Sequence, residues 1–286
     1  MITEPIHHQK VKRPILRHFG GKWQLRHWII EHLPEHNFYA EPYAGAASIL
    51  LAKDPAPGGE IINDLNREVI NLFRIMRDNL AADELIRRLS WTPYAVRELK
   101  LACEWSDDRI EQARRLLVRS FMGIETVGMD SNGKTGFRMG NVNLDRLDQS
   151  GTRTFRNCAK DWSNWKSHIE SIRARLKHVM IYERDALEFI ELMNSKECLL
   201  YVDPPYHPDT RSSTKYCCDL SAEDHSNLLE VLLSTKSRVV LSGYDHADYR
   251  RLEQFGWRKV VKKYRANMST TPRNEVLWIK ESGASA

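Results

Sequence analysis

The run Cys198-Leu199-Leu200-Tyr201-Val202, followed by Asp203-Pro204-Pro205-Tyr206, constrains the fold more than any other stretch of this chain. Five apolar residues in succession predict a buried strand. Two adjacent prolines cannot continue a hydrogen-bonded ladder, so the strand must end there. In an open α/β sheet, ligands bind beyond the carboxyl ends of the strands. A carboxylate, a rigid turn and an aromatic ring would then stand together at the mouth of a site. The same residues also fit a plainer arrangement, a strand stopping at a proline turn with Asp203 as a cap.

One chemistry uses all of these groups. The exocyclic amine of a nucleobase is a poor nucleophile, because its lone pair is delocalised into the ring. A carboxylate accepting one N–H and a backbone carbonyl accepting the other would draw the nitrogen towards a tetrahedral shape and aim its lone pair at an electrophile. Proline has no N–H but keeps its carbonyl, and its fixed φ aims that carbonyl. Tyr206 would stack on the base.

The rest of the chain alternates strand and helix on both sides of this run. Asn37–Tyr43 reads as a strand entering Glu41-Pro42-Tyr43-Ala44-Gly45-Ala46-Ala47-Ser48, with a helix over Ile49–Lys53. Strand, small-residue loop and helix start form a nucleotide-binding unit. The loop is not G-x-G-x-x-G and no phosphate-binding lysine follows it, which favours an adenosine without phosphates. A second strand, Glu60–Asn63, ends at Asp64, where a carboxylate grips ribose hydroxyls or caps the next helix. A third, Val179–Glu183, leads to Asp185, which fits either a contact to a cofactor adenine or the cap of a helix over Ala186–Met193. Ser221-Ala222-Glu223-Asp224 resembles a capping box. Ser237–Leu241 is a further strand, and Trp257–Tyr264 with Asn274–Ile279 reads as a closing antiparallel pair. Upstream, Gly20-Gly21 allows a tight turn before Lys22, which could reach an acidic group.

Between residues 79 and 165 the alternation breaks. Helical patterns over Ala81–Ser90, Pro93–Cys103 and Asp108–Phe121 lead to a polar stretch, where Ser131-Asn132-Gly133-Lys134 is a turn signal. A hairpin is expected near 129–141. The expected division is therefore 1–79 with 166–286 as one domain and 80–165 as an insert. Residues 109–160 hold ten Lys/Arg against five Asp/Glu, an excess equal to the formal +5 of the whole chain. Arg114, Arg115, Arg119, Lys134, Arg138, Arg153 and Arg156 are candidates for phosphate or base contacts, although any one of them also suits a solvated helix face. Residues 258–273 add six Lys/Arg and no acid. This balance suits a polyanionic partner. Five cysteines with no C-x-x-C pair argue against a zinc site and fit a reducing cytoplasm. Met1–Pro14 shows no apolar core of a secretory leader. His7, His8 and His246 read as solvent-facing.

Taken together, the glycine–lysine turn, Glu41-Pro42-Tyr43-Ala44-Gly45, the acid after the second strand, a basic insert and then Asp-Pro-Pro-Tyr resemble the Dam-like family of adenine-N6 DNA methyltransferases, in that motif order. The resemblance runs from Leu16 to Lys280. Its anchors are Phe19–Lys22, Glu41–Ser48, Asp203–Tyr206, and Arg265-Ala266-Asn267 with Arg273-Asn274-Glu275. It implies S-adenosyl-L-methionine as donor, a class I methyltransferase fold with a Rossmann-like α/β sheet and an inserted, mainly helical target-recognition domain, and a flipped-out adenine in double-stranded DNA. By the same resemblance, Lys22 and His18 contact the cofactor; the family usually has an aromatic at His18, a part that Phe19 could take. Glu41 and Gly45 belong to the cofactor loop, Asp64 holds the ribose and Asp185 the cofactor adenine. Asp203, at the junction of cofactor and target, and Pro204, Pro205 and Tyr206 carry the chemistry. Arg119, Lys134, Arg138, Asn141 and Arg273 meet DNA, with Ser131–Asn141 as the reading hairpin. No metal and no membrane are implied, and the chain is expected as a monomer or weak dimer whose DNA binding weakens with salt. Two alternatives remain open at this point: an RNA adenine-N6 methyltransferase, and a catalytically idle DNA-binding regulator. Methylation of a side-chain amide is disfavoured by Asp203 where Asn would stand.

Overall fold

The computed structural model describes residues 11–18, 20–124, 136–139, 157–210, 218–264 and 273–281. The chain forms two compact units, one of Met1–Phe19 with Asn71–Lys177 and one of Gly20–Ile70 with His178–Ala286. The first is wider than the 80–165 insert expected from sequence and takes the N-terminal residues with it.

The second unit carries a seven-stranded sheet. Its strands are β1 (Phe38–Glu41), β2 (Gly59–Asn63), β3 (Val179–Tyr182), β4 (Cys198–Val202), β5 (Arg238–Gly243), β6 (Arg258–Tyr264) and β7 (Arg273–Lys280), in the order β3-β2-β1-β4-β5-β7-β6. The first five are mutually parallel, while β7 runs antiparallel to both β5 and β6. This is the Rossmann-like sheet expected of the fold. All five residues of β4 are buried, as a central parallel strand covered on both faces requires. The edge strand β6 is lysine-rich and largely exposed, and charge on an edge discourages pairing with another chain. Leu200, Val202, Val239, Leu241, Phe189 and Trp278 form the centre of one core.

Helices α1 (Arg26–Ile30), α2 (Ser48–Ala52), α9 (Ala186–Leu192), α10 (Ala222–Ser234) and α11 (Arg250–Gln254) belong to this unit. The capping box at the start of α10 is present, with Ser221 and Asp224 exchanging hydrogen bonds. The strand order reverses direction at β1, whose neighbours are β2 and β4. The ends of β1 and β4 therefore open on the crevice where such sheets bind ligands.

The first unit is helical: α4 (Asn79–Ser90), α5 (Val96–Ala102), α6 (Arg109–Met122), α7 (Cys158–Ser163) and α8 (Ile169–Leu176). Between them in the chain, α3 (Arg67–Arg77) carries the backbone across the division at Asn71. Asp108 caps α6, which packs against α4 and α5. Beyond α6 the chain returns antiparallel: Gly123 bridges Phe137, and Arg138 N–H donates to the Met122 carbonyl at 2.7 Å. Of the hairpin expected near 129–141, only 136–139 are among the described residues. Lys134, Asn141, Arg153 and Arg156 lie outside them. Among the described residues, no helix is long and apolar enough to cross a membrane.

Candidate active site

Asp203 follows the last residue of β4, at the carboxyl edge of the sheet. Its carboxylate accepts from Lys22 Nζ at 2.7 Å through Oδ1 and 2.9 Å through Oδ2. Lys22 Nζ also donates to the Gly20 carbonyl at 2.9 Å. The glycine turn that precedes Lys22 thus becomes part of the clamp on Asp203. Lys22 is buried, and the Asp203 side chain keeps 18% of its surface exposed. Burial pushes the Asp203 carboxyl up to about 6, against the lowering pull of Lys22 and with a further push from Glu275. The group is thus mostly ionised at neutral pH and still able to take a proton.

Tyr206 is buried, and its hydroxyl donates to Glu275 Oε1 at 2.6 Å. Its ring and that of Tyr244 pack edge to face with centroids 4.4 Å apart and 66° between planes, and Lys22 Nζ lies 4.7 Å from the Tyr206 centroid. Ser242, near the end of β5, donates to the same Glu275 oxygen at 2.7 Å. Arg273, expected at the DNA surface, is exposed and donates to the Tyr244 hydroxyl at 3.0 Å.

The loop after β1 is shaped by two residues in the left-handed region, Gly45 and Ala47, each at φ 48°. Glycine occupies that region without penalty, whereas alanine is strained there. Gly45 N–H donates to Asp64 Oδ2 at 2.7 Å, and Asn66 N–H donates to Asp64 Oδ1 at 2.8 Å. Asp64 therefore ties the loop to the end of β2. Glu41 turns into the interior, where its Oε1 accepts from the Tyr39 hydroxyl and from Leu50 N–H, both at 2.8 Å. Burial pushes its carboxyl up to about 8, although both of those hydrogen bonds pull it down. Glu41 thus holds the start of α2 from below. Asp185 is exposed and caps α9 through Leu187 and Glu188 N–H.

Two residues were missed by sequence reasoning. Asn63, at the end of β2, donates to the carbonyls of Pro42 and Arg184, both at 3.0 Å, and accepts from Arg184 N–H. It fastens together the loops after β1, β2 and β3, and so fixes the neighbour of Asp185. A polar side chain closing a buried apolar strand was the available signal. Glu275 was noticed only as part of a motif; its link to Tyr206 spans 69 positions in the chain, and no local pattern reports such a distance.

His246 corrects its reading as solvent-facing. It is half-buried and stacks on His207, centroids 3.9 Å apart and 21° between planes. Asp248 Oδ2 lies 3.5 Å from a nitrogen of each ring. Asp209 Oδ2 lies 3.7 and 3.6 Å from the opposite nitrogens. The ligand atoms of His207, His246 and Asp248 fall within 4.8 Å of one another, but the rings lie face to face, so their in-plane lone pairs do not converge.

Four of the candidate arginines of the helical unit have internal acceptors. Arg114 is buried and pairs with Glu98 and Glu111 at 2.8 and 2.7 Å. Arg119 donates to the Ala102 carbonyl, and Arg138 to that of Gly123 at 3.0 Å. Arg115 pairs with Glu111 at 2.9 Å. His18 is half-buried in the same unit, and Phe19 lies outside the described residues.

The profile of the D12 class of N6 adenine-specific DNA methyltransferases matches residues 18–101 and 138–265. The DNA adenine methylase of Salmonella typhi is 25% identical over 274 residues, covering 90% of each chain. That of Vibrio cholerae is 24% identical over 282 residues, 93% of this chain and 94% of its own. A type II methyltransferase of Lactococcus lactis subsp. cremoris is 38% identical over 79 residues, so that the match spans about a quarter (26%) of that relative's length. A solved Thermoplasma acidophilum structure aligns over 92% of this chain and 88% of its own at 9% identity and a TM-score of 0.31, too distant a likeness to add to the fold argument. The family profile covers both the Lys22 turn and the Asp203–Tyr206 segment that it meets, and with most of the sequence matched the chain belongs to the D12 class of N6 adenine-specific DNA methyltransferases.

Proposed function

We propose that this chain transfers the methyl group of S-adenosyl-L-methionine to N6 of an adenine in double-stranded DNA. The observation that carries the reading is Asp203, half-buried at the end of β4, clamped by Lys22 and followed by the rigid Pro204-Pro205 turn and Tyr206. Asp203 accepts one N–H of the target amine and the Pro204 carbonyl accepts the other. An ionised Asp203 can also take the proton that the amine must lose. The Tyr206 ring, held at its hydroxyl, offers a face to the base. Rate then comes from alignment and from polar groups preset for the charge that develops on the amine.

The residues present fit the proposed cofactor. The loop after β1 presents nothing larger than a methyl group from Ala44 to Ala47, at the switch point of the sheet. Asp64 and Asp185, at the ends of β2 and β3, would take the ribose and the adenine. When bound, S-adenosyl-L-methionine supplies an electrophilic methyl group. The basic excess of 109–160 supports a polyanionic substrate, and the helical unit is assigned target recognition on that ground.

The test is transfer of tritiated methyl to unmethylated genomic DNA, with RNA in parallel. Label in DNA supports the reading. Label in RNA alone would keep the chemistry and change the substrate. Cofactor binding with no label in either would point to an idle binder.

A further inference from the structure

Glu275 is fully buried on β7. A carboxylate removed from water is costly unless it is paired and hydrogen-bonded. Oε1 takes two donors, the hydroxyls of Tyr206 and Ser242, at 2.6 and 2.7 Å. The nearest cation is Lys22, 3.8 Å away and already 2.7 Å from Asp203. Glu275 Oε2 has no hydrogen-bond partner among the described residues. One ammonium therefore serves two carboxylates, one facing the reaction and one behind it. Packing alone does not require this: replacing a whole buried polar cluster of this kind with well-packed apolar side chains is often neutral or stabilising.

We propose that Glu275 is a positioning residue for methyl transfer, fixing Tyr206 through its hydroxyl and competing with Asp203 for Lys22. The proposal rests on the methyltransferase reading above. Held at its hydroxyl by Glu275 and at its ring by Tyr244 and Lys22, Tyr206 is set before any base arrives. By sharing Lys22, Glu275 leaves Asp203 a better proton acceptor than a fully neutralised aspartate would be.

Among the described residues, the ionisable groups around this pair include Lys22, Glu41, Tyr201, Tyr206, Tyr244 and Tyr264. Burial pushes Tyr201 and Tyr264 up, so both stay neutral through the working range, and Glu41 is pushed up to about 8. The negative charge of Glu275 raises the proton affinity of Asp203. Removing that charge must move Asp203 down.

The experiment compares wild type, Glu275→Gln, Glu275→Asp and Tyr206→Phe. Rates of methyl transfer are followed against pH, and the Asp203 carboxyl is titrated by carbon-13 NMR in the protein without DNA. Glu275→Gln is expected to lower kcat roughly tenfold or more through misalignment, and to move both the acid limb of the rate profile and the Asp203 titration to lower pH. Glu275→Asp and Tyr206→Phe should lower kcat while leaving the Asp203 titration near wild type. A wild-type titration midpoint in Glu275→Gln would overturn the proposal, as would wild-type kcat in Glu275→Asp should the glutamine variant fail to fold. The NMR titration needs no substrate, so it separates failure of this proposal from failure of the methyltransferase reading, which would show as no transfer by wild type at any pH.

Discussion

Lys22 and Asp203 lie 181 positions apart in the chain, yet the lysine ammonium sits 2.7 and 2.9 Å from the two aspartate oxygens. The glycine turn near the start of the sequence is thus completed by a motif far along it. The pair is an opposition as much as a bond, since burial raises the Asp203 carboxyl and Lys22 holds it down.

Replacing Lys22 with Met removes the lowering influence and keeps the bulk. Asp203 must then bind its proton more tightly than at about 6. In the proposed mechanism the ionised carboxylate is the active form, so the acid limb of kcat against pH should move to higher pH, with reduced activity at pH 7 and partial recovery at higher pH. A limb that stays in place would mean that Lys22 does not control this charge.

Glu41 gives a stability prediction. Its folded carboxyl lies at about 8, above the ordinary carboxylate range of an unfolded chain. Folding therefore takes up a proton between those limits. Stability from this group is complete at low pH, falls as pH rises, and levels off above about 8. Glu41→Gln keeps a neutral side chain, so its Tm should fall less than that of wild type between pH 6 and 8.5. Parallel Tm curves for the two proteins would refute the assignment.

Arg114 is held between Glu98, Glu111 and the Thr92 hydroxyl. Removing one partner of a buried charged cluster costs about 3 kcal/mol. Arg114→Met should therefore lower the stability of the helical unit by that order. Because the guanidinium faces inward, the slope of DNA affinity against salt should stay as in wild type. A slope reduced by about one contact with unchanged Tm would make Arg114 a phosphate ligand instead.

Local pattern carried much of this structure. The strand over Cys198–Val202, the capping box at Ser221 and the antiparallel closing pair were all legible, because apolar runs, cap residues and turns act over a few positions. The partners of Lys22, Asn63 and Glu275 were not, because they depend on which strand ends the topology brings together. Charge counting also failed to say which way an arginine faces: Arg114 added to the basic excess yet lies buried among acids. Ala47 shows a third limit, since nothing in its sequence neighbourhood announced a left-handed backbone.

The most direct measurement follows tritiated methyl from S-adenosyl-L-methionine into DNA, with the labelled base identified, for wild type and Asp203→Ala. Labelled N6-methyladenine from wild type, and none from the variant while it still binds the cofactor, is the predicted result. Equal labelling by both proteins would contradict the role given to Asp203, and label on cytosine would contradict the target amine.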